Sequence, residues 1–70
     1  MEYFDFEVAF RYLKKGEKVG VSEFGESNYV AIQDNQLILS SYPSSHAPLP
    51  IAIDSALLLS KQWYLFNTNI

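Results

Sequence analysis

The chain has 70 residues, of which 49% are hydrophobic and 16% aromatic, and its net charge is −3. This length predicts a single domain over residues 1–70 that buries about 60% of its unfolded surface. Because the chain has no cysteine, disulfides and thiolate metal sites are excluded, and the acidic charge balance argues against a general nucleic-acid binder. No apolar run reaches the roughly 20 residues of a membrane helix, and we expect no secretory leader.

The first predicted element is an amphipathic helix that Asp5 caps and Gly16 ends. Its apolar residues recur at i, i+3, i+4 and i+7, which is the spacing of one helical face. They are Phe6, Ala9, Phe10 and Leu13. Lys14 and Lys15 lie in the last turn, where positive charge favours a helix C-terminus. We expect Phe10 to be a large buried residue of the core.

A three-stranded antiparallel meander is predicted after this helix. Period-two alternation of apolar residues indicates the strands. They span residues 18–23, 29–33 and 36–42. A turn over residues 25–28 joins the first two strands. Asp34-Asn35 predicts a two-residue hairpin between the second and third, because both side chains tolerate positive φ.

The next segment is predicted to be a loop followed by a short helix. Three prolines within residues 43–50 keep that loop out of the interior of the sheet. Asp54 or Ser55 is the expected cap of a short helix, which continues through Leu59 or Ser60.

A last strand is predicted over residues 62–67, with Trp63, the only tryptophan, near its start. The predicted fold class is therefore α+β: an N-terminal helix packed on a small antiparallel β-sheet, in the order α-β-β-β-short α-β. Eleven aromatic side chains exceed what we expect one small core to hold, so some of them should meet a second copy or a ligand. We therefore expect a homo-oligomer, either a dimer or a tetramer.

No pattern of residues predicts catalysis or metal binding. Ser44, Ser45 and His46 are adjacent, but a hydrolytic triad needs spatial adjacency and a third group, and one histidine alone does not make a zinc site. We interpret the three residues as part of a polar loop whose hydroxyls and imidazole can also hold phosphate or ribose oxygens. The protein is expected not to be an enzyme and to need neither cofactor nor metal.

Aromatic residues near turns are the remaining candidates for ligand binding. Phe24 precedes Gly25 at the first turn, where it either stacks on a base or folds back onto the sheet edge. Tyr42, at a strand end, and Trp63 are each either core residues or ligand contacts. The expected ligand-binding residues, with Asn28 of the first turn, are Phe24, Gly25, Asn28, Tyr42, Ser44, Ser45, His46 and Trp63.

Several segments resemble a family of small phage proteins, the second type of Thoeris anti-defence proteins. The run Phe6–Val19, which ends in "LKKGEKV", is similar to the family's first helix and the "LK-x-GKKV" sequence before its first strand. Phe24-Gly25 matches a "GWNG"-like turn. The sequence "LLLSKQW" that ends at Trp63 is in register with a "DLLAxDW" segment. Val21 stands where the family has an arginine.

The resemblance implies a molecular sponge that binds a cyclic nucleotide immune signal, of the cyclic ADP-ribose type or a cyclic oligonucleotide, without cleaving it. It also implies a homo-oligomer with pockets between protomers, located in the cytoplasm of the phage-infected bacterial host. The alternative is a protein-binding inhibitor of a bacterial defence complex, as some anti-CRISPR proteins are. A decoy for nucleic acid needs clustered carboxylates, and their dispersal along this chain favours the sponge. No membrane and no direct nucleic-acid partner are expected.

Overall fold

The computed structural model describes residues 2–42 and 47–67 and has the predicted α+β architecture. Its elements are α1 (Phe6–Lys14), β1 (Val19–Val21), a 3₁₀ turn (Ser22–Phe24), β2 (Asn28–Gln33), β3 (Gln36–Ser41), β4 (Leu49–Pro50), α2 (Ser55–Leu59) and β5 (Trp63–Leu65). Within the described ranges, no helix is both long enough and apolar enough to cross a membrane. The predicted order of helices and strands is confirmed, with one short strand, β4, added.

The five strands form one antiparallel sheet in the order β4-β3-β2-β1-β5. The predicted meander of β1, β2 and β3 is confirmed. The C-terminal strand β5 pairs with the free side of β1, so that Gly20 lies opposite Tyr64 and Val21 opposite Trp63. On its outer side, Trp63 exchanges two backbone hydrogen bonds with Phe4, at 2.8 and 3.0 Å. The N-terminal segment thereby covers part of this sheet edge.

β4 corrects the prediction of a continuous loop over residues 43–50. Leu49 and Pro50 pair with β3 at the other edge of the sheet. An edge strand tolerates proline because its outward-facing positions need no N–H donor. The predicted exclusion of proline from the sheet interior therefore agrees with Pro50 in an edge strand, and the predicted loop ends earlier than residue 50.

The ends of α1 follow the predicted capping pattern. Asp5 Oδ1 accepts a hydrogen bond from the Val8 N–H at 3.1 Å. At the other end Gly16 has a φ of 88°, and the N–H groups of Gly16 and Glu17 donate to the carbonyls of Leu13 and Tyr12 at 3.0 Å. This is a Schellman motif, which needs a left-handed residue at the position of Gly16.

Of three further local predictions, two are confirmed and one is corrected. Asp54 caps α2 by accepting from the Leu57 N–H at 3.0 Å. Asp34 and Asn35 have φ values of 54° and 62°, as the predicted two-residue hairpin requires. The first strand spans Val19–Val21 and is shorter than the predicted residues 18–23. The chain leaves the strand at Ser22, where the Gly25 N–H donates to the Ser22 carbonyl at 3.2 Å and closes a 3₁₀ turn.

The core lies between the two helices and one face of the sheet. Its buried residues are Ala9, Leu13, Val19, Val21, Val30, Leu57 and Trp63. Phe10 is not among them: it is 39% exposed, it stacks on Phe6 with ring centroids 5.8 Å apart, and the Lys14 ammonium lies 5.2 Å from its ring centroid. The prediction of a buried Phe10 was wrong because Ala9 and Leu13 face the sheet directly, which leaves Phe10 at the margin of the apolar face.

Candidate functional site

Side-chain hydrogen bonds of Asn28 join the first turn to the end of β3. Its Nδ2 donates to the Phe24 carbonyl at 2.5 Å, and its Oδ1 accepts from the Ser41 hydroxyl at 2.6 Å. The backbone N–H of Tyr42 donates to the Ser27 carbonyl at 2.9 Å beside this link. These bonds bring Phe24, Gly25, Asn28 and Tyr42 to one end of the sheet, which we call the turn end.

The two aromatic residues of the turn end differ in exposure. Phe24 is half-buried and packs against the core. Of its two predicted roles, folding back onto the sheet edge therefore fits better than stacking on a base. Tyr42 is 43% exposed and presents the larger ring surface. Gly25 has a φ of 84°, a conformation that L side chains rarely adopt.

Of the other predicted binding residues, the structure describes only Trp63, which does not join the turn end. Trp63 is fully buried; its Nε1 donates to the Leu57 carbonyl at 3.0 Å, and its ring lies 5.1 Å from that of Phe6. Of its two interpretations, the structure therefore favours the core residue. The predictions for Ser44, Ser45 and His46 lie outside the described residues.

A cleft lies beside the turn end and shares Gly25 with it. It has a volume of about 190 Å³ and is lined by Tyr3, Ser22, Gly25, Glu26 and Tyr64. We call it the tyrosine cleft, because the rings of Tyr3 and Tyr64 meet edge to face within it, with centroids 6.0 Å apart and an interplanar angle of 73°. Its volume is below the roughly 300–1,000 Å³ of ordinary small-molecule pockets.

Tyr64 is held in the cleft by its strand partner. A Cβ built on Gly20 would lie within 3 Å of the Tyr64 ring and hydroxyl, so the ring packs directly over the glycine. Burial raises the pKa of Tyr64 above the ordinary tyrosine value of 10.0, and the charges of Glu26 and Tyr3 add to that shift. The Tyr64 hydroxyl therefore stays protonated at neutral pH.

Sequence reasoning missed both tyrosines of the cleft. The signal for Tyr64 was a glycine in the middle of a predicted strand, which often indicates a close approach by another group. Finding the partner ring required knowing that β5 pairs with β1. Tyr3 lies before α1, and no pattern in the sequence indicated its contact with Tyr64.

A second hollow of about 270 Å³ lies near the hairpin between β2 and β3. Its lining residues are Gln33, Asp34, Gln36, Ile38, Pro48 and Pro50. Its described lining has amide and carboxylate oxygens but no aromatic ring, which makes it less suited to stacking a base. Within residues 2–42 and 47–67, no group of three or more histidine, cysteine or acidic residues could hold a metal ion.

Comparison with known proteins gives no relatives for this chain. No family model, no curated protein and no solved structure matches it.

Proposed function

We propose that this protein binds and sequesters a cyclic nucleotide immune signal, of the cyclic ADP-ribose type or a cyclic oligonucleotide, without cleaving it. The proposal combines the motif resemblance to phage anti-defence proteins with the aromatic surface at the turn end. In that role the protein acts in the cytoplasm of an infected bacterium and lowers the free concentration of the signal.

One observation carries the proposal. Nine of the eleven aromatic side chains are engaged in ring-to-ring contacts within the protomer. The remaining two are Phe24 and Tyr42, which make no such contact within the described part of the chain, and both lie at the turn end. Of these two, Phe24 packs against the core, so the ring that supports base stacking is that of Tyr42, which is 43% exposed beside a hydrogen-bonded turn.

The separated motif segments also support the proposal by packing together. The residues of the "KKGEKV" segment run into β1, and those of the "LLLSKQW" segment run into β5, its sheet neighbour. Two sequence segments about forty residues apart in the chain therefore lie side by side in the sheet. This unit lies directly beside the turn end.

The size of the surface argues for a second copy in the complex. At the turn end the described part of one protomer offers one exposed ring, that of Tyr42, and the neighbouring tyrosine cleft, at about 190 Å³, is smaller than the roughly 300–1,000 Å³ that encloses a typical ligand. We therefore include a homo-oligomer of two or four copies in the proposal, with the ligand held between protomers. Light scattering tests this part: a particle of 8.0 kDa at micromolar concentration, with and without ligand, would contradict it.

Calorimetry with a panel of cyclic ADP-ribose isomers and cyclic di- and trinucleotides tests the function. At least one ligand should bind, and mass spectrometry after denaturation should recover it intact. Tyr42→Ala should weaken that binding roughly five- to a hundredfold, since loss of a stacked ring costs about 1–3 kcal/mol per base. Tyr3→Ala is the matched control, because it removes an exposed tyrosine outside the turn end. Binding of no panel member would refute the proposal.

The second candidate function is a protein-binding inhibitor of a bacterial defence complex. The observation that favours it is the acidic character of the tyrosine cleft: Glu26 lines it, and no described lysine or arginine does. Such a surface repels phosphate and suits a basic protein surface. This function would be favoured if the protein captures a defence complex and no member of the nucleotide panel binds.

A further inference from the structure

We propose that the tyrosine cleft is a binding site for an organic cation, namely an ammonium, a methylated ammonium or a guanidinium group. This inference is independent of the nucleotide function, because it concerns different side chains and the opposite ligand charge.

The two rings supply the first requirement of such a site. A cation is attracted to the negative face of an aromatic ring, and a pair of rings at a steep angle presents a face and an edge on adjoining walls. Tyr3 and Tyr64 meet in this way at 73°. Tyr3 is 49% exposed and Tyr64 only 7%, so one ring forms the outer wall and the other the floor.

Glu26 supplies the second requirement, a negative charge without a hydrogen-bond or ion-pair partner among the described residues. Among residues 2–42 and 47–67, no hydrogen bond or ion pair engages the Glu26 carboxylate. The neighbouring Glu23 differs, because it accepts a hydrogen bond from the Ser60 hydroxyl at 3.1 Å. Glu26 also influences Tyr64 electrostatically, which agrees with a carboxylate close to the ring. A cation in the cleft would meet both the ring and this charge.

The backbone of the cleft holds these groups in place. Gly20 allows the Tyr64 ring to lie flat against β1, and the backbone bonds between Phe4 and Trp63 fix the segment that carries Tyr3. The 3₁₀ turn places Ser22 and Gly25 on the remaining wall. At about 190 Å³ the cleft has room for a cationic head group but not for a whole nucleotide.

The test is an NMR titration with choline, with 3,3-dimethylbutanol as the neutral molecule of the same shape. Choline should shift the ring resonances of Tyr3 and Tyr64, and its methyl protons should move upfield, with saturation in the millimolar range. The neutral analogue should bind at least roughly threefold more weakly, because the charge contributes most of the cation–π attraction. Equal binding of the two molecules, or no shift with either, would overturn the proposal.

Variants test whether choline binds in the tyrosine cleft or elsewhere on the surface. Glu26→Gln and Tyr3→Ala should each weaken choline binding roughly three- to tenfold. Two controls should leave it unchanged: Glu17→Gln, which alters the net charge equally at the other end of β1, and Tyr42→Ala, which removes an exposed tyrosine at the turn end. If Glu26→Gln leaves the affinity for choline unchanged, the proposal is wrong.

A second titration identifies the source of the cation. Short capped peptides that carry one arginine or one lysine are compared with choline under the same conditions. Tighter binding of a peptide would assign the cleft to a basic side chain of a protein, and tighter binding of choline would assign it to a free quaternary amine. Tyr42→Ala weakens nucleotide binding and Glu26→Gln weakens cation binding, so failure of one proposal leaves the other intact.

Discussion

The contact between Gly20 and Tyr64 predicts that adding one methyl group to β1 destabilises the protein. Gly20→Ala places a Cβ within 3 Å of the Tyr64 ring, and real Cβ atoms do not approach that closely. The ring must lift off the sheet. Its neighbour Tyr3, in edge-to-face contact, must then move with it.

The size of the effect follows from the burial of the ring. Tyr64 is 7% exposed, and a buried tyrosine removes roughly 150–250 Å² from water, which is worth about 4–6 kcal/mol of gross stabilisation. Lifting the outer part of the ring loses a fraction of that, so Gly20→Ala should cost about 1–3 kcal/mol, the range for overpacked sites. A domain of this length has about 3.5–10 kcal/mol in total, so the loss is easily measured.

A double-mutant cycle in urea, followed by the fluorescence of the buried Trp63, isolates the contact. In a Tyr64→Ala background, Gly20→Ala should be neutral or stabilising by up to about 1 kcal/mol, because alanine reduces the freedom of the unfolded chain. Gly16→Ala is the control: it has a φ of 88° and no atom within 4 Å of the added Cβ, so its cost of about 1–2 kcal/mol should be the same in both backgrounds. If Gly20→Ala costs the same with and without the Tyr64 ring, the packing explanation is wrong.

Three further predictions concern the core, a cap and alkaline stability. Leu13→Ala should cost about 2–5 kcal/mol and Phe10→Ala only about 1 kcal/mol, because Leu13 is 1% exposed and Phe10 is 39% exposed; the reverse order of urea midpoints would contradict this. Asp54→Ala should cost about 0.5–2 kcal/mol by removing the cap of α2, and Asp54→Asn should restore most of it in thermal melts. The raised folded-state pKa of Tyr64 means that its contribution is full below the unfolded pKa of 10.0 and is lost as the pH rises above it, so wild type should lose more stability than Tyr64→Phe between pH 9 and 11; parallel losses would contradict it.

Local signals in the sequence were sufficient for the helices and the central strands. Asp5, Asp54 and Gly16 are capping residues whose chemistry acts within three or four positions of the chain. Asp34 and Asn35 fix the hairpin for the same reason, since their φ values depend on local sterics and hydrogen bonds. These capping and hairpin predictions depend on neighbouring residues alone, and the structure confirms them.

Predictions that depend on distant partners were less successful. The exposure of Phe10 depends on which part of the helical stripe the sheet covers, and the position of β5 beside β1 brings Trp63 into the core. Helical periodicity gives the direction of the apolar face but not its covered width. The tyrosine cleft was not predicted for the same reason. Tyr3 and Tyr64 are separated by most of the chain and meet only through the pairing of β1 with β5.

The distribution of aromatic rings changes the argument for an oligomer. Composition suggested that one small core lacks room for eleven aromatic side chains, yet the sheet uses both of its faces. Phe6 and Trp63 pack on the helical side, whereas Phe66 stacks on Tyr29 at 5.1 Å and Lys18 lies 5.3 Å from the Tyr29 ring centroid.

Because strand residues alternate between faces, Lys18, Tyr29 and Phe66 share the face of Gly20 and Tyr64. Ring-to-ring contacts within one protomer therefore engage most of the rings that composition alone left without partners. What still favours a second copy is the turn end, where the exposed ring of Tyr42 stacks on no other ring within the described part of the protomer. Self-association should consequently depend on the ligand more than on the core: Tyr42→Ala should reduce ligand-induced assembly and leave the stability of the protomer nearly unchanged.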